Sequence, residues 1–196
     1  MNPGFIQILT LVLLAIFYIA YFIKAFNLKR SGITVNLLGK GDKPKAALFI
    51  EQFLRVVTLS GAAIQFGSAV FMGFVWSLPT VIHIGIVGIV LMIIGNLFFI
   101  VAMLTMRENW RAGFDRKQNT NLVTRGVYNI SRNPAFVGFD LIYFGCALAF
   151  PNAINIIVTV VAVALFHFQI LGEEKYCEEA FGNEYLEYKR KVRRYI

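Results

Sequence analysis

A chain of 196 residues that is 58% hydrophobic, 15% aromatic and only 15% charged departs from the roughly 25% charge of an ordinary soluble domain. With a mean hydropathy of +0.65, this composition excludes a disordered chain, a disulfide scaffold and a cytosolic domain, and leaves a small integral membrane protein. Cys146 and Cys177 sit far apart and suggest no disulfide framework, and a net charge of +8 on so apolar a chain points to anionic lipid and not to nucleic acid.

Five apolar stretches follow in order, from about Phe5 to Phe26, Ala46 to Phe71, Val81 to Met106, Pro134 to Phe150 and Ile154 to Leu171. A helix needs roughly 20 residues to cross the hydrocarbon, so the first three span comfortably. The last two are short, and only Pro151-Asn152-Ala153 separates them, which predicts a tight helical hairpin. The first stretch has no basic residues before it and several after it, the pattern of a retained anchor and not of a cleaved signal peptide.

The basic residues are distributed by loop. Lys24, Lys29, Arg30, Lys40, Lys43 and Lys45 fall in the first loop, and Arg107, Arg111, Arg116, Lys117, Arg125 and Arg132 follow the third span. Lys175, Lys189, Arg190, Lys191, Arg193 and Arg194 lie in the tail, and Arg55 lies inside the second span. Positive loops stay in the cytosol. The expected fold is therefore all-α and membrane-integral, with five transmembrane helices, the N-terminus outside and the C-terminus cytosolic.

Two glycine features read as scaffold. Gly39-Lys40-Gly41-Asp42 lacks the spacing of a phosphate loop and predicts a turn. Gly85, Gly88 and Gly95 fall near one face of the third helix, where small residues let helices approach closely.

Ionisable residues within a membrane are functional candidates by default. At 1.5 Å per residue, Glu51 lies ~8 Å, Arg55 ~14 Å and Asp140 ~9 Å from the cytosolic boundary, with His167 and Gln169 within ~6 Å of it. Their shared depth predicts a cavity open to the cytosol and the inner leaflet. Glu51 and Arg55, at i and i+4, could instead neutralise each other on one helix face. Asp140 could bond a neighbouring helix, and His167 could be an interfacial side chain.

The segment from Met106 onward is more polar and strongly patterned. It contains Asn121-Leu122-Val123-Thr124-Arg125-Gly126-Val127-Tyr128, then Arg132-Asn133-Pro134-Ala135-Phe136-Val137-Gly138, Glu173-Glu174, and Phe181-Gly182-Asn183-Glu184-Tyr185-Leu186-Glu187-Tyr188. Pro134 suits the first turn of a helix. The free N–H groups at that helix start, beside Arg132, could receive an anion, while Glu173 and Glu174 could hold a cation.

These motifs, with Asn109-Trp110 upstream, resemble the isoprenylcysteine carboxyl methyltransferase family and the wider group that includes the phospholipid methyltransferases. The likeness covers roughly residues 107–190. It implies a membrane methyltransferase that uses S-adenosyl-L-methionine and takes a lipidic or prenylated acceptor from the inner leaflet, with its site facing the cytosol. It also implies one structural unit in two parts, a three-span scaffold over 1–106 and a cofactor pocket built by 107–196. Carried over by position, the cofactor contacts fall on Thr120, Asn121, Leu122, Val123, Tyr128, Asn133, Pro134, Ala135 and Phe136. Glu173 matches the family's glutamate near the acceptor and would steer the acceptor or take a proton from an amine. Arg132 would bind the donor's carboxylate or hold the loop to acidic residues.

Three positions depart from the prenylcysteine pattern: Asn133 replaces a histidine, Phe136 a tyrosine and Gln169 an arginine. An arginine at 169 would orient a substrate carboxylate by bidentate contact, whereas glutamine carries no charge, which leaves Arg55 as the cation available to such a substrate. Alternatives on the same scaffold are a phospholipid-amine or small-thiol methyltransferase, or a non-catalytic membrane binding protein.

Overall fold

The computed structural model describes residues 3–71, 82–114 and 121–196. The described residues form six α-helices: α1 (Pro3–Arg30), α2 (Lys45–Val70), α3 (Ile82–Met106), α4 (Pro134–Ala149), α5 (Ala153–Phe181) and α6 (Asn183–Lys191). Short 3₁₀ turns lie at Arg107–Asn109 and Gly126–Asn129. Among these residues there is no strand, and backbone pairing outside helices is an isolated bridge between Asn36 and Ala112.

The helix ends follow local chemistry. α1 runs without an internal proline and stops where Gly32 turns left-handed at φ +75°, with Gly32 N–H on the Lys29 carbonyl and Ile33 N–H on that of Leu28. Pro44 precedes α2, and Pro134 opens α4 at the position where its missing N–H costs nothing. Asn152 caps α5 by accepting a hydrogen bond from the Asn155 N–H at 2.9 Å. Gly182, at φ +52°, breaks the chain between α5 and α6.

Four helices are long and apolar enough to cross a membrane: Gly4–Arg30, Lys45–Val70, Ile82–Asn109 and Ala153–Phe181. α4 is shorter, 16 residues, or ~24 Å, against a hydrocarbon thickness of ~30 Å. The apolar pattern set the end of the fifth stretch near Leu171, but α5 continues to Phe181. Its last turns carry Glu173, Glu174 and Cys177, which remain helical because α6 and the tail pack on them.

Close backbone contact joins α3 to α4. A side chain on Gly88 would put its Cβ 2.5 Å from the Gly145 carbonyl, and one on Gly95 would lie 2.8 Å from that of Gly138. Gly85 faces Ile6 of α1 instead, so the three glycines serve two neighbouring helices. Asn96 ties α3 to α1 by donating to the Leu13 carbonyl at 3.4 Å. Between these helices Phe17, Phe99, Phe139 and Trp110 pack edge-on or tilted with centroids 4.4–5.6 Å apart. α2 packs chiefly on α5.

Candidate functional site

A cavity of about 410 Å³ lies at the end of the bundle where α1 and α3 finish and α2 and α4 begin. Its walls differ in chemistry from one end to the other. The polar end is lined by Asn121, Arg132, Asn133, Glu173, Glu174 and the phenols of Tyr128, Tyr185 and Tyr188. The other end is lined by Tyr18, Tyr21, Phe22, Leu59, Phe139 and Phe166, with Arg55 and Thr58 beside them. Phe22 and Leu59 are 63% and 65% exposed, so the cavity reaches the outside of the bundle between α1 and α2.

Glu174 is the hub of the polar end. Its Oε1 accepts from Arg132 Nε at 3.1 Å, Arg132 Nη2 at 2.9 Å and Asn133 Nδ2 at 3.1 Å, while its Oε2 accepts from Arg194 Nε and Nη2 at 3.1 and 3.0 Å. Arg132 Nη1 also donates to the carbonyls of Val192 and Lys189. The backbone completes the strap: Arg132 N–H donates to the Arg193 carbonyl, and Ser131 Oγ and Asn133 Nδ2 donate to that of Arg194. Arg132 thus joins the start of α4 to α5 and to the tail.

Tyr188 donates its hydroxyl to the Tyr128 carbonyl at 2.7 Å, fastening α6 over the cavity. Burial, with the carboxylate of Glu173 nearby, holds the Tyr128 phenol well above its ordinary ionisation range. Burial raises those of Tyr185 and Tyr188 as well. All three stay neutral, leaving rings that can face a cation.

Beside the polar end, Glu51, Gln169 and Glu173 form a chain of contacts that the sequence did not reveal. Glu51 is fully buried and bonds Lys43 Nζ at 2.5 Å, not Arg55. Gln169 Nε2 donates to both Glu51 Oε1 at 3.1 Å and Glu173 Oε1 at 2.9 Å. Arg55, exposed on the next turn of α2, lines the cavity without an ion pair among the described residues. The predicted turn at Gly39–Asp42 is present, with Gly39 at φ +68° and Gly41 at φ +84°, and its Gly39 N–H also lands on Glu51.

Of the residues singled out in the sequence, Asn121, Leu122, Val123, Tyr128, Asn133, Ala135, Phe136, Gln169, Glu173, Arg132 and Arg55 all line this cavity. Pro134 is buried at the first position of α4 and is not in the lining. Thr120 lies outside the described residues. Asp140 and His167, grouped with the others by depth, are not in the lining either; His167 Nδ1 meets the Tyr195 hydroxyl at 2.6 Å. Sequence reasoning passed over Lys43 because eight residues and the start of α2 separate it from Glu51, so no periodic spacing marks the pair.

The chemistry of the lining offers one place to a cation and another to an anion. Neutral aromatic rings and Glu173 favour the cation. The first-turn N–H groups of Ala135 and Phe136, unsatisfied within α4, favour the anion. Trp110 adds a buried indole N–H with no partner among the described residues.

Apolar helices, four of them long enough to cross a membrane, thus surround a cavity that is charged at one end and open sideways at the other. Residues 83–184 match the family described as phospholipid methyltransferase, just over half of the sequence, and the chain belongs to that family. It is 33% identical over 110 residues to a protein-S-isoprenylcysteine O-methyltransferase of Saccharomyces cerevisiae, covering 55% of this chain and 46% of that one. It is 32% identical over 108 residues to protein-S-isoprenylcysteine O-methyltransferase B of Arabidopsis thaliana, covering 54% and 55%. Its identity to the Xenopus laevis protein of the first name is 28% over 118 residues, covering 59% and 41%. The chain spans about half the length of the curated relatives it matches. No solved structure matches it.

Proposed function

We propose that this protein is an integral-membrane methyltransferase that uses S-adenosyl-L-methionine and methylates a lipidic acceptor of the isoprenylcysteine type. The observation that carries the reading is the two-ended cavity, which can seat a charged donor beside an apolar acceptor. The family match and the relatives' names support it. Five helices cross the bilayer with the N-terminus outside, and the charged end of the cavity faces the cytosol. The concentration of basic residues at that end supports this orientation. Residues 107–196 form the donor side and the first three spans the scaffold, as one structural unit.

The donor is held by Asn121, Leu122 and Val123, by the Tyr128 ring, and by the start of α4 from Asn133 to Phe136, with Thr120 adjoining. When bound, the sulfonium supplies an electrophilic methyl group. The protein's own contribution is alignment and exclusion of water, worth about 7–11 kcal/mol in favourable cases. Glu173 steers the acceptor, and with an amine it takes the proton. Arg132 keeps the donor wall and the tail together. Arg55, one turn of α2 nearer the lipid opening, supplies the positive charge to an acceptor carboxylate that Gln169 does not.

Gln169 favours a second reading on the same scaffold. Both of its amide hydrogens are taken by Glu51 and Glu173, so it offers an acceptor atom and no donor, an arrangement suited to a phospholipid amine. The test is transfer of labelled methyl groups by the detergent-purified chain into prenylcysteine, phospholipid-amine and thiol acceptors, with calorimetry of S-adenosylhomocysteine binding. Transfer to N-acetyl-S-farnesylcysteine, with kcat/KM at least about tenfold lower in Arg55→Ala, upholds the first reading. Transfer only to the amine lipid upholds the second, and no binding or transfer at all ends both.

A further inference from the structure

We propose that the buried Lys43–Glu51 ion pair is the positioning device of the acceptor end, acting through Gln169 on Glu173; the inference rests on the methyltransferase reading above. Both side chains of the pair are fully buried, and both lie before residue 83, where the family match begins. They reach the site because the first loop is held under the bundle. Leu37 N–H donates to the Ala112 carbonyl and Ala112 N–H to that of Val35, each at 2.9 Å. Lys43 Nζ then donates to the Leu37 carbonyl at 2.9 Å and stands 4.8 Å from the centre of the Phe114 ring.

The reason the pair matters is the direction of one hydrogen bond. An ionised carboxylate only accepts, whereas a protonated one also donates. Glu51 Oε2 takes the Lys43 ammonium and its Oε1 accepts from Gln169 Nε2 at 3.1 Å, so the Gln169 amide turns its NH₂ toward Glu51. The second hydrogen of that NH₂ goes to Glu173, which fixes the glutamate that faces the acceptor. Gly39 N–H steadies the other oxygen of Glu51 at 2.8 Å. The close fit extends to Gly113, at φ +83°, where a Cβ would come within 3.0 Å of Glu51 Oε1. Neutralising Glu51 frees the amide to flip and releases Glu173, while the donor wall around Asn133 and Tyr128 is untouched.

The test uses the full chain in detergent, with N-acetyl-S-farnesylcysteine and dioleoylphosphatidylethanolamine as acceptor probes. For the probe that the native chain methylates, Glu51→Gln is expected to raise the acceptor KM at least about fivefold while the dissociation constant of S-adenosylhomocysteine stays within about twofold. Replacing a buried ion pair by apolar groups of similar volume is commonly tolerated, so Lys43→Met with Glu51→Met carries the same expectation if the single variant does not fold. An unchanged acceptor KM, or donor affinity lost in step with it in both variants, overturns the inference and leaves the functional reading standing. A native chain that methylates neither probe and binds no S-adenosylhomocysteine overturns both.

Discussion

Glu174 carries more of the polar end than any residue of the motifs around it. Its partner Arg132 has a side chain only 8% exposed, whereas Arg194 is 33% exposed. Removing the shared carboxylate strands the buried guanidinium, so Glu174→Ala is expected to cost about 3–5 kcal/mol. Arg194→Ala, which breaks only the more exposed arm, costs about 1 kcal/mol or less; thermal unfolding in detergent separates the two. Tyr188→Phe removes the bond to the Tyr128 carbonyl and costs about 1 kcal/mol. Because folding raises the pKa of these phenols, their contribution is complete below the ordinary tyrosine value of about 10 and is lost as pH climbs toward the folded-state values. The alkaline fall of the melting temperature should therefore be shallower in Tyr188→Phe than in the native chain. The sequence marked Arg132 and Asn133 through their motif, but their common partner lies 42 and 41 residues away, a separation that no local pattern encodes.

At the scale of elements, the α3–α4 seam shapes the wall of the cavity that α4 begins. Gly88 against Gly145 and Gly95 against Gly138 keep one antiparallel register over two helical turns. That seam carries the short α4 along α3 and brings its N-terminus to the cavity. Gly95→Ala puts a Cβ 2.8 Å from a backbone oxygen, which cannot yield as a side chain can, so a loss of about 1–3 kcal/mol is expected. Gly67, in the last turn of α2 with nothing within 4 Å of an added Cβ, should gain up to about 0.5–1 kcal/mol as alanine. Thermal melts of the two variants give opposite signs. Helix periodicity revealed glycines on α3 but not that Gly85 faces α1, because small residues mark close approach without naming the neighbour.

Across the whole molecule, charge and chain direction agree. The first loop, the segment after α3 and the tail meet at one end of the bundle, joined by the Asn36–Ala112 bridge and the contacts of Arg132. In a background lacking Cys146 and Cys177, single cysteines replacing the exposed Lys29, Arg125 and Arg190 should be labelled by a membrane-impermeant reagent from one face, and one replacing Ala153 from the other. Labelling of residue 125 and residue 190 from different faces would contradict the fold as well as the proposed topology.

Composition and hydropathy by themselves fixed an all-helical, membrane-type chain, since 58% hydrophobic residues in long runs can satisfy their backbone groups in lipid only as helices or closed barrels. The ordered motifs after Met106 pointed to residues that line the cavity. Only the tertiary structure decided that Glu51 pairs with Lys43 rather than Arg55, that Gln169 bridges two carboxylates, and that the tail closes on Glu174. Hydrophobic pattern records which face of a helix is buried. The partner of a buried charge is chosen where the chain returns, by which opposite charge arrives within bonding distance once water is gone.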